Sequence, residues 1–151
     1  MSLPVKRKID ILPRDFAPYE AVLEFQQTLD AGQYGASTVF VGTMRDFNEG
    51  DDVKAMTLEH YPGMTEKYLE KICDEASEKW QLQACLVQHR VGEVLPGDPI
   101  VLVAIWSAHR KDAYEANRFL MEALKSQAPF WKKETLLDDQ HRWVEKNTEG
   151  Y

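Results

Sequence analysis

"IVLVAIW", residues 100–106, decides how the rest of the chain is read. Its seven apolar residues show neither the alternation of a half-exposed strand nor the three-and-four spacing of an amphipathic helix. The run is far short of the ~20 residues that cross a bilayer. A short, β-branched apolar stretch of this kind reads as a strand buried on both faces, which places it inside a sheet covered from two sides.

Working outward, the preceding segments supply further strands and a cover. "ACLVQHRV", Ala84 to Val91, reads as a strand and "GEVLPGD" as the turn that follows it. Before it, Met64, Tyr68, Ile72, Ala76 and Trp80 recur every four residues, with Leu69 and Cys73 widening the stripe, so a helix lies on the sheet. "VKAMTLEH", Val53 to His60, and "STVFVGTM", Ser37 to Met44, are strands, and the polar "RDFNEGDD" between them reads as a mobile loop. Val5 to Leu12 is a short strand. Tyr19 to Asp30 is a helix, with Pro18 near its first turn and Gly32 beyond its end. On the other side of the central run, Asp112 is the expected N-cap of a helix, with Glu115 three residues on. Its apolar face is Ala116, Phe119, Leu120, Ala123 and Leu124, and Pro129 ends it. "FWKKETLL" and "RWVEK" close the chain as a strand pair around "DDQH". The expectation is an α+β fold with about three helices, and one domain spanning residues 1–151.

Composition narrows the function. The 151 residues are 44% hydrophobic, enough for a filled core, and carry a net charge of −7, which disfavours nucleic acid and anionic membrane as partners. The start "VKRK" runs into "IDILPRD" and not into an apolar stretch, so no secretory signal is read and a cytoplasmic location is expected. Cys73 and Cys85 lack CxxC spacing, and the four histidines are dispersed, so no metal site is expected and both cysteines read as small buried hydrophobes.

On this acidic background the cations at element ends stand out. Arg45 directly follows "VFVGTM", and His109–Arg110 directly follow the central apolar run. Lys125 and Lys132 flank "SQAPFW", where Pro129 breaks what would otherwise be two helical turns. By spacing alone Lys125 reads as a cation favoured by the helix C-terminus, and Lys132 as an exposed strand lysine. Gathered together, Arg45, His109, Arg110, Lys125 and Lys132 would form a positive pocket for a phosphorylated or carboxylated small molecule.

The motifs "VFVGTMRDFNEGD", "LEHYPGMTEKYLEKICDEA", "HRVGEVLPGD", "SAHRKDAYEAN" and "LKSQAPFWKKE" resemble, in order and spacing, the large catalytic subunit of molybdopterin synthase. The resemblance covers residues 35–145 and is most specific at "SAHR" and "LKSQAPFWKKE". It implies an α/β-hammerhead with a mixed, mostly antiparallel sheet and no resident cofactor. The activity it implies is sulfur transfer from a thiocarboxylate on the C-terminal Gly-Gly of a small ubiquitin-like subunit to cyclic pyranopterin monophosphate, forming the dithiolene of molybdopterin. The large subunit would dimerise within a heterotetramer. Carried over by motif, Lys125 and Lys132 are the active-site lysines, Arg45, His109 and Arg110 bind substrate, and Arg142 is a further basic position near it. Asp51 and Asp52 stand where many relatives have basic residues, so that loop is left out of the anion site. Pro129, Phe130 and Trp131 read as walls around the Gly-Gly tail, with Phe130 and Trp131 reading alternatively as core anchors.

Two other readings compete. A non-catalytic module binding a ubiquitin-like tail would keep the fold without the chemistry. A hydrolase using Ser107 and His109 finds no G-x-S-x-G elbow and no third member.

Overall fold

The computed structural model describes residues 4–144. Among these the order is β1 (Lys6–Leu12), α1 (Pro18–Gln26), β2 (Ala36–Thr43), β3 (Phe47–Asn48), β4 (Asp51–His60), α2 (Met64–Lys79), β5 (Leu82–Arg90), β6 (Gly92–Val94), β7 (Pro99–Ser107), α3 (Arg110–Gln127), β8 (Phe130–Leu136) and β9 (His141–Trp143). The fold is α+β, and the strands form two sheets where one was expected.

The larger helices cover a four-stranded sheet of order β1-β5-β7-β2. Its β1–β5 pair is parallel, while β5–β7 and β7–β2 are antiparallel. The central apolar run lies within β7, and its side chains alternate between two cores. Leu102, Ala104 and Trp106 pack with Phe25 of α1 on one face. Val101, Val103 and Ile105 pack against Leu69 and Ile72 of α2 and Leu120 and Leu124 of α3 on the other. Every residue from Val101 to Trp106 has 0% exposure, which explains why no polar residue interrupts the run. Burying one Val, Leu or Ile side chain stabilises the fold by about 1.5–3 kcal/mol, so this strand is a main source of cohesion.

The second sheet, β3-β4-β8-β9 with β6 added on β4, stands at the C-terminal end of α3. "RDFNEGDD" is not a loose loop: Phe47 and Asn48 pair with Asp52 and Asp51 around a two-residue turn. Glu49 and Gly50 both have positive φ, 52° and 80°, which is the twist a tight hairpin requires.

Two helix starts also differ from expectation. His109, not Asp112, is the N-cap of α3. The Asp112 carboxylate instead accepts the Gln81 backbone N–H at 3.1 Å, and Glu115 accepts from Trp80 Nε1 at 2.8 Å, so both tie α3 to the end of α2. Met64, placed on the buried stripe by its spacing, is exposed, and Thr65 is buried in its stead. No helix among the described residues is long and apolar enough to cross a membrane.

Candidate active site

α3 ends at Gln127 because Ala128, preceding Pro129, is held extended (φ −67°, ψ 141°). The chain turns at once into β8, which pairs with β4 so that Lys132 stands opposite Leu58. The corner is pinned from α2. Thr65, fully buried, donates to the Pro129 carbonyl at 3.1 Å, and the Tyr68 hydroxyl donates to Gln127 Oε1 at 2.8 Å. Lys125, in the last turn of α3, and Lys132, third in β8, are thereby brought within hydrogen-bonding reach of each other.

Both amines are half-buried, and that sets their chemistry. Burial, then the charge of Lys132, pushes the Lys125 pKa down to about 7. Burial also lowers Lys132, with Arg45 in the same sense, against the opposing effects of the bond to Lys125 and of Glu134. The pair therefore loses a proton more readily than two solvated lysines would, and the remaining ammonium can donate to the neutral amine.

The lysines and Arg45 line a cavity of about 310 Å³, together with Glu134 and apolar residues such as Met44 and Phe47. Arg45, exposed, lies with its guanidinium carbon 5.0 Å from the centre of the Phe47 ring. A larger cavity of about 940 Å³, between the ends of α1 and α2, is lined by none of the expected site residues.

The other expected cations lie elsewhere. His109 and Arg110 are exposed at the start of α3, fifteen residues before Lys125, or about 22 Å along the helix axis. Within one chain they cannot join the lysine pocket, so the expected gathering of five cations is corrected to three. Arg142, on β9, sits just behind the cavity wall. Its Nε donates to Glu134 Oε1 at 2.8 Å, Nη1 to Asp51 Oδ2 at 2.7 Å and Nη2 to the Asn48 carbonyl at 2.8 Å. It fastens the β3–β4 hairpin to β8, and Asp51 serves as its partner.

Of the two readings left open, Phe130 fits the core anchor and Trp131 fits neither. Phe130 packs against the core beside the lysines, whereas Trp131 is exposed on the opposite face of β8. Ser107 is buried with its hydroxyl donating to the Gln81 carbonyl at 2.9 Å, and His109 is exposed, so they form no nucleophile–base pair.

Glu134 and His89 escaped the sequence reading. Glu134 lies two residues after Lys132 on the same face of a strand, a spacing that could have flagged it. His89 interrupts the apolar strand "ACLVQHRV", the kind of position where a polar group needs a reason.

The fold places the chain in a known class: it belongs to the MoaE protein family, whose model matches residues 15–127. It is 48% identical over 138 residues to the molybdopterin synthase catalytic subunit of Escherichia coli strain K12, covering 91% of this chain and 89% of that protein. Among solved structures, it resembles the molybdopterin biosynthesis MoaE protein from Burkholderia ambifaria (TM-score 0.77, 44% identity, 97% of this chain and 94% of that one). Molybdopterin synthase from Staphylococcus aureus is similar as well (TM-score 0.79, 34% identity, 89% and 94%).

Proposed function

We propose that this chain is the catalytic subunit of a molybdopterin synthase. It moves sulfur from the thiocarboxylated Gly-Gly terminus of a small ubiquitin-like subunit to cyclic pyranopterin monophosphate, making the dithiolene of molybdopterin. The observation that carries this reading is the meeting of the Lys125 and Lys132 amines beside Arg45 in a cavity of small-molecule size.

The chemistry needs such a place. Donor and acceptor are both anionic, and fixed cations in a partly dry pocket lower the repulsion between them without reorganising during the reaction. Lys125 holds the thiocarboxylate as an ammonium. Because its pKa is about 7, it can also return a proton near neutral pH. Lys132 orients the pterin and exchanges protons with Lys125, and Arg45 holds the phosphate. Arg142 acts on substrate indirectly, by fixing Glu134 in the cavity wall and the β3–β4 hairpin beside it.

His109 and Arg110 keep their substrate-binding role in this reading only across a subunit boundary, since α3 separates them from Lys125 in one chain. The assembly proposed is therefore a homodimer, with a small subunit on each copy. The location is cytoplasmic, in keeping with Cys73 and Cys85, whose sulfurs lie 3.5 Å apart as free thiols.

Incubating the chain with thiocarboxylated small subunit and cyclic pyranopterin monophosphate, and measuring dithiolene product, tests the reading. Product is expected. Tight binding of the small subunit without product would assign the chain to a tail-binding module instead.

A further inference from the structure

His89, on β5, has 0% exposure, and its ring stacks on Phe130 with centroids 3.8 Å apart at 14°. Its Nδ1 is 2.8 Å from the Arg90 carbonyl. A carbonyl can only accept, so Nδ1 carries the proton and Nε2 is left as the acceptor. That Nε2 is buried and has no hydrogen-bond partner among the described residues. His89 lines a cavity of about 30 Å³ with Leu124, Ala128, Phe130 and, on its polar side, Lys125 and Lys132.

A cavity of about 30 Å³ has room for a water, which needs about 10–15 Å³ of such space, and buried waters typically make about three hydrogen bonds. Here the three partners are present: one bare acceptor and two amines rich in N–H. We propose that His89 is a positioning residue whose Nε2 anchors a single water in this cavity, and that the water's oxygen accepts N–H bonds from Lys125 and Lys132, aiming both amines. The role in catalysis rests on the sulfur-transfer reading; the hydrogen-bonded arrangement does not.

An imidazole suits this position because it stays uncharged. Burial first, then the charge of Lys125, pushes the His89 pKa down to about 3, with Lys132 and His60 adding to it and the bond to the Arg90 carbonyl opposing it. A carboxylate there would neutralise the lysines and abolish their hold on anions. The neutral lone pair directs them and leaves their charge available.

His89→Phe keeps an aromatic ring on Phe130 and removes the acceptor; His89→Gln restores an acceptor oxygen near the place of Nε2. The first measurement needs no activity: the titration of Lys125 followed by NMR of its ε-carbon in the full chain. The groups acting on the lysine pair are His89 from β5, Lys132 and Glu134 from β8, and Arg45 after β2, with His60 of β4 acting on His89. The parent midpoint is expected near 7. It should fall by about half a unit to one unit in His89→Phe, the worth of one hydrogen bond to the charged form, and return in His89→Gln. The second measurement is turnover. His89→Phe should lower kcat by about tenfold to a hundredfold with KM for cyclic pyranopterin monophosphate little changed, and His89→Gln should recover most of it. If Phe prevents folding, His89→Leu replaces it in both measurements. Equal Lys125 midpoints in all three proteins overturn the proposal, as does a kcat loss that Gln fails to repair. Absence of product from the parent would count against the synthase reading alone, because the titration still decides the arrangement around His89.

Discussion

Lys125 and Arg142 border the same cavity wall from opposite sides, and their surroundings could hardly differ more. Lys125 meets a second lysine, and its charge is opposed by burial. Arg142 bonds Glu134 and Asp51 and lies 3.7 Å from Glu49, so its charge is consumed in holding a hairpin. Both would count as basic positions in a motif. The difference shows that two cations near one cavity differ in what acts on their charge: burial and a second lysine for Lys125, bonded carboxylates for Arg142.

The comparison breaks first at Lys125. Lys125→Ala should reduce dithiolene formation by about 10³-fold, at or above the loss typical of removing one electrostatic stabiliser, with folding and dimerisation intact. Near-normal single-turnover rates would refute the assignment. Its depressed pKa has a sign that stability can test. Below about 7 both folded and unfolded chains carry the charge, and the folded one bears the cost of burying it. Between about 7 and 10.5 the unfolded chain binds more protons, so this residue makes stability rise with pH through that window. Lys125→Met should therefore melt above the parent at pH 6, and the difference should shrink toward pH 10.5. A gain that grows with pH would contradict the burial argument.

The next effect is on tail binding. An anionic thiocarboxylate prefers the ammonium form, so affinity for the thiocarboxylated small subunit should fall as pH rises through about 7, by up to about tenfold per unit. Titration calorimetry at pH 6, 7 and 8 measures this, and a flat profile would remove Lys125 from the contact. Arg110→Ala should raise KM for the pterin substrate by about tenfold with kcat less affected. At low substrate concentration, mixing Arg110→Ala chains, which bind substrate weakly, with Lys125→Ala chains, which do not turn over, should give more activity than either alone, because one of the two sites in a mixed dimer regains both residues. No recovery on mixing would defeat the role across the boundary. The smallest change is expected for Arg142→Ala: melting lower by a few degrees, and a several-fold rise in KM as Glu134 and the β3–β4 hairpin lose their anchor. An unchanged KM would show that Arg142 is structural alone.

Much of this arrangement could be read before any coordinates. The unbroken "IVLVAIW" announced a doubly covered strand, and Pro129 announced the corner between the two lysines. Other features were hidden for reasons that can be named. The hairpin at Glu49–Gly50 looks like loop in the sequence because its two strand residues are too few to show a period. The expected N-cap Asp112 lost its place because its carboxylate found a partner in Gln81, 31 residues away in sequence. In the sequence His109 and Arg110 group with the lysines because motif spacing does not record that a continuous helix holds its ends about 22 Å apart.

What the sequence by itself determined is local: which segments are apolar enough to be buried, where proline forbids a helix, and which residue types can hold anions or move protons. The meetings of distant residues were decided only by tertiary structure: Lys125 with Lys132 across the corner, Arg142 with Glu134 and Asp51, His89 against Phe130. The physical reason is that periodicity and propensity act over a few residues. Desolvation and Coulomb interactions depend on distances in space, and it is those that turn an ordinary lysine into one poised near neutral pH.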